Sequence, residues 1–114
     1  MIEKTLYDFL TRTLSVPVYM EIPKDPPVKM VVLEKTGSSG DYVKTSTFAV
    51  QSYAASLFDA ADLNEYVKEA IFDGLTGLIS LNEILRVDLN SDYNFTDITT
   101  KKYRYQAVIN ITHY

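Results

Sequence analysis

The stretch YRYQAVINITHY at 103–114 constrains this chain more than any other, because its side chains alternate with almost no interruption. Tyr103, Tyr105, Ala107, Ile109 and Ile111 fall on one side; Arg104, Gln106, Asn110 and Thr112 fall on the other, and Val108 is the only apolar residue among them. A period of two is the signature of a strand with one face on a core and one in water. A terminal segment frays unless something ties it down. Each isoleucine, fully buried, is worth roughly 1.5–3 kcal/mol, so this one should lie inside a sheet or against another subunit.

Such a strand needs neighbours, and the chain supplies them. Ile2, Leu6, Phe9, Leu10 and Leu14 form one helical stripe, and Pro17 should end that helix near Ser15. A short strand follows in PVYMEIP, with Val18, Met20 and Ile22 on one face. PKDPP, poor in backbone donors, is expected to be an extended connector outside the sheet. VKMVVLEKT reads as a strand covered on both faces near 30–33, GSSGD as a loop, and 42–53 as the second arm of a hairpin.

The second helix carries Ala60, Leu63, Val67, Ala70, Ile71, Gly74 and Leu75 inward and Asp62, Glu65, Glu69 and Asp73 outward. Ser56 and Asp59 resemble a capping box, and Gly74 and Gly77 should mark its fraying end. EILRVDLNS gives a strand with Leu85, Val87 and Leu89 inward, DYNFTDITT a turn, and 103–114 the last strand. The order α-β-β-β-α-β-β predicts one α+β domain over 1–114. Its mainly antiparallel sheet of about five strands should carry both helices on one face.

Chemistry is harder to find. The chain has 114 residues and no cysteine, so disulfides, thiolate catalysis and cysteine-based zinc sites are excluded. A net charge of −4 argues against a nucleic-acid grip, and no apolar run is long enough for a membrane span. MIEKTLYDFL has an acid at position 3 and no long apolar stretch, unlike a signal peptide. DLNSD opens like a calcium loop, but Tyr93 stands where glycine is required and Thr99 where the bidentate glutamate belongs. Asp88, Asn90 and Asp92 then read as ordinary turn residues. His113 is the only histidine and reads as a strand-end residue at a surface or interface. Its replacement by alanine is expected to leave the fold nearly intact. GSSG and GLTG lack the lysine of a phosphate loop. The reading is a non-enzyme without metal or cofactor. Nine tyrosines and no tryptophan suit half-buried or shared surfaces.

VPVYMEIPKDPP, VVLEKTG, TFAVQSYAASLFDAADLNEYVK and NSDYNFTD with YRYQAV and THY resemble the tail terminator, or tail completion, proteins of long-tailed bacteriophages and prophages of Gram-positive bacteria. The resemblance runs over nearly the whole chain, with least support near 77–83. It implies a homohexameric ring on the head-proximal end of the tail tube. That ring would stop tube polymerisation and present a docking surface to the head connector. The implied partners are further copies of the chain, the tail tube protein and a head-connector protein, with DNA passing the lumen without specific binding. The implied location is the head–tail junction of the virion, after assembly in the bacterial host cytoplasm. A head-side stopper or adaptor is the alternative within the same structural class, and a small ligand-binding α+β domain is the remote one. On this reading Gly37, Ser38, Ser39, Gly40, Asp41 and Tyr42 at the hairpin tip, with Arg104 and Tyr114 on the last strand, are the candidate assembly surface.

Overall fold

The last strand sits in the interior of the sheet. The computed structural model describes residues 1–79, 84–100 and 102–114. The elements are α1 (Ile2–Thr13), β1 (Val18–Tyr19), β2 (Met30–Gly40), β3 (Lys44–Ala54), α2 (Leu57–Ile79), β4 (Ile84–Asn94) and β5 (Tyr103–His113). The sheet order is β1-β2-β3-β5-β4, and every pairing is antiparallel except β1 with β2. This is the expected α+β architecture.

Both helices lie on one face because only that face offers them a continuous apolar surface. Val31, Leu33, Phe48, Val50, Ile109 and Ile111 from the sheet meet Leu6, Phe9 and Leu10 of α1 and Leu63, Val67 and Ile71 of α2 in one cluster. The odd-numbered side of β5 is inward as expected, with Ala107, Ile109 and Ile111 fully buried and Tyr103 and Tyr105 half-buried. Ser56 caps α2 by accepting a bond from the Asp59 backbone N–H at 3.1 Å, a contact worth about 1 kcal/mol. Asp62, Glu65, Glu69 and Asp73 form the exposed acidic face. The two helices are tied where Tyr66 donates to the Thr13 carbonyl at 3.4 Å.

Several local expectations are corrected. Helix α1 ends at Thr13, two residues before Ser15. Strand β1 is only two residues long, and Met20 and Ile22 are exposed, because the chain leaves the sheet after pairing Val18 with Val31 and Tyr19 with Val32. GSSG is strand: Gly37, Ser38, Ser39 and Gly40 pair with Thr47, Ser46, Thr45 and Lys44. The long run of β3 supplies backbone partners that override the turn preference of glycine and serine, and the turn moves to 41–43. Gly40 starts that turn at φ +98°, where an added Cβ would stand 2.2 Å from the Val43 carbonyl oxygen.

Gly74 lies inside α2. An added Cβ there would sit 2.3 Å from Cζ of Phe9, so this glycine lets the two helices approach closely. Leu85 and Leu89 are partly exposed, since β4 is an edge strand with irregular register at 84/86 and 89/91. Strand β4 also runs through Asn94, which shortens the expected 92–100 turn to 95–100. The Leu75 side chain and Glu83, assigned above to the α2 stripe and to β4, lie outside the described residues.

Leu63→Ala should lower the unfolding free energy by about 2–5 kcal/mol in denaturant titrations, as core truncations do. Gly74→Ala should destabilise by about 1–3 kcal/mol through overpacking against Phe9. In a Phe9→Ala background its sign should reverse, because only the roughly 1 kcal/mol helix-propensity gain of alanine over glycine remains.

Candidate functional site

The sheet presents two distinct ends, and the candidate residues divide between them. At the hairpin end, the β2–β3 arm is exposed along one strand from Glu34 to Gly40 and around the turn to Lys44. Gly37, Ser38, Ser39, Gly40, Asp41 and Tyr42 are all there, and the pairing of Lys44 with His113 brings Tyr114 beside them. Arg104 is not among them. It lies at the start of β5, about 30 Å away along the strand, on the face without helices.

His113 corrects the surface reading. It is buried on the core side of β5, and its Nε2 lies 2.7 Å from the Ser46 Oγ while its Nδ1 lies 3.0 Å from the Tyr114 carbonyl oxygen. The carbonyl can only accept, so Nδ1 carries the proton and the Ser46 hydroxyl donates to Nε2. A serine bonded to a histidine is the geometry of an activated nucleophile. Here the serine is 1% exposed, near the start of β3, and the bond works as a buried tie between β3 and β5. Periodicity marked position 113 as inward, but the chain end beside it pointed the reading toward the surface.

A polar cleft of about 450 Å³ opens beside this pair, between the start of α1 and the arm. Glu3 and Lys35 face each other across it at 3.5 Å. Hydrogen bonding to its own backbone N–H in the first turn of α1 holds the Glu3 carboxyl below its ordinary range, with Lys35 assisting.

At the other end, Arg104 stacks over Phe95 at 4.3 Å and lies 5.6 Å from the Tyr53 ring. Its guanidinium donates to the Phe95 carbonyl at 2.6 Å and the Tyr53 hydroxyl at 2.9 Å. These contacts pin Phe95, just beyond the end of β4, to the sheet. From Tyr53 a polar chain crosses the helix-free face: its hydroxyl donates to Gln51, Gln51 to Gln106 at 2.9 Å, and Gln106 to Tyr93 at 2.5 Å. Beside it, Ile22, Pro26, Val28, Tyr53, Ala55 and Lys102 line a mainly apolar cleft of about 380 Å³. The connector expected to lie outside the sheet therefore forms a wall. No sequence pattern announced this cleft, because its lining comes from four separate segments.

Asp88, Asn90 and Asp92 are in strand β4 and not in a turn. Asp88 pairs with Arg86 at 2.8 Å, while Asp92 reaches Lys68 and accepts from Asn64 at 2.7 Å. A paired strand with a register shift between Leu89 and Ser91 is not the backbone of a calcium loop. Among the described residues no cluster of three or more His, Asp or Glu could hold a metal ion, and no helix is long and apolar enough to cross a membrane.

The fold and these ends define an α+β domain whose distinctive features are an exposed hairpin arm and a helix-free sheet face. No family model matches the chain, and no curated protein is significantly similar to it.

His113→Ala should cost about 1–3 kcal/mol, measured by chemical denaturation, because it strands the buried Ser46 hydroxyl. This replaces the near-neutral expectation. Glu3 has a folded pKa below its ordinary 4.5, so its stabilisation is full above that value and lost as pH falls through the folded one. The stability advantage of wild type over Glu3→Gln should therefore be present at neutral pH and shrink on acidification below about 4.5.

Proposed function

We propose that this chain is a structural subunit that caps the head-proximal end of a phage or prophage tail tube as a homohexameric ring. It ends tube polymerisation there and offers the head connector its docking surface, in the virion after assembly in the host cytoplasm. The chain-long resemblance stated above motivates the reading. The observation that carries it is the division of the sheet. One face is sealed by α1 and α2, while the other has no helices and combines a polar chain with a small apolar cluster of Met30, Val32 and Tyr53.

Among the described residues β4 has no strand on its outer side, and β2 has none beyond Val32. Unpaired edges of this kind are ready contacts for another chain. The residue chemistry is consistent with assembly: Ser46 and His113 are buried and bonded to each other at the floor of the polar cleft, and the exposed groups include strand edges, tyrosines and acids. Six copies, each of net charge −4, would make a strongly acidic ring, which suits DNA transit because retention requires cationic neutralisation of phosphates.

The test is to polymerise purified tail tube protein with and without this chain and to image the products by electron microscopy. The expected result is tubes of limited length carrying one ring at one end, with overgrown tubes in its absence. Binding to portal complexes and not to tubes would move the protein to the head side of the junction. Binding to neither would overturn the reading.

A further inference from the structure

The two ends of the sheet are complementary. At one end Tyr42 is 93% exposed at the tip of a two-stranded arm, followed by the half-exposed Val43. A large amphipathic ring held on a paired hairpin is an interface anchor with little ordering entropy left to lose. At the other end the 380 Å³ cleft is walled by Pro26 and Pro27, whose fixed φ restricts the backbone on that side. Its volume is of the size that accepts a compact apolar group.

Charge matches as well as shape. Asp41 stands beside Tyr42 at the tip, and Lys102 lines the cleft; among the described residues neither has an ion-pair partner. Strand β3 separates the two features. Its eleven residues put the tip and the cleft more than about 30 Å apart in a molecule 43 Å long. A tip therefore cannot reach its own cleft.

We propose that copies of this chain associate head to tail, with Tyr42 of one copy seated in the Ile22–Pro26–Tyr53 cleft of the next and Asp41 paired with Lys102. A patch that meets a different patch on the next copy is a heterologous contact, which closes into a ring when the rotation allows and extends into a filament when it does not. The inference deepens the ring reading above and rests on it for closure; the contact itself is tested separately.

The absence of cysteine in the native chain makes the contact readable by disulfide trapping. Val43→Cys, which leaves Tyr42 in place, and Ala55→Cys are both at exposed positions, so each variant should fold as wild type, checked by circular dichroism. One variant carries a mass tag, the two are mixed and mildly oxidised, and dimers are counted on a non-reducing gel. Tip–cleft dimers should exceed like–like dimers several-fold. Random proportions, or no cross-linking at the highest soluble concentration, overturn the proposal.

Asp41→Lys in the tip variant, or Lys102→Asp in the cleft variant, should each cut the mixed dimer several-fold, and the two together should restore it. Failure of the restored pair removes Asp41–Lys102 from the contact and overturns the proposal as stated. Tubes capped normally by Tyr42→Ala protein, with no mixed cross-link, would sink this contact and leave the ring reading standing. Mixed cross-linking by a protein that caps no tubes would sink the ring reading and leave this contact standing.

Discussion

The structure depends on one strand held on both edges and one face. Every residue of β5 pairs with β3, and along most of its length β5 also pairs with β4. Its odd-numbered side adds Ala107, Ile109 and Ile111 to the floor under the helices. Because β5 returns to lie between β3 and β4, the sheet cannot form from the N-terminal hairpin alone. The two halves of the chain are joined by hydrogen bonds and burial together, and the buried Ser46–His113 bond repeats that join at the end of the ladder.

The helix layer follows from this floor. Phe9 of α1 lies directly on the α2 backbone at Gly74, so the helices come close with only the Phe9 ring between them there. Lys68, mostly covered by the helix–sheet junction, links Glu65 on its own helix to Asp92 on β4, and burial is outweighed there by hydrogen bonds that hold its ammonium form. That is a partly covered ion pair with additional bonds, the arrangement in which such pairs repay desolvation. The exposed Lys4–Asp8 pair contributes little by comparison.

With one face committed to the core, interaction with other molecules falls to what is left: the helix-free face, the outer edges and the two ends. The polar chain from Tyr53 through Gln51 and Gln106 to Tyr93 satisfies the polar groups of that face from within the sheet, beside the buried cluster of Met30, Val32 and Tyr53. Arg104 contributes by stacking on Phe95 and Tyr53, so its position beside the apolar cleft is fixed by the fold. Arm and cleft thus lie at opposite ends of one strand.

The sequence by itself determined the element types, their order and the buried faces of α1, α2 and β5. Those depend on periodicity and on the Ser56 cap, and both act over a few neighbouring residues. It also carried the alternation that places position 113 inward, although the end of the chain beside it suggested exposure. Only the tertiary structure decided how far each element runs and what its ends do. GSSG is strand because β3 is long enough to pair it, and Gly74 is a packing site because Phe9 arrives from another helix. Leu85 and Leu89 are partly exposed because β4 takes the edge of the sheet. The apolar cleft exists because the proline connector, β2, the end of β3 and the start of β5 converge there, and no local pattern in the sequence can encode a surface assembled from residues so far apart along the chain.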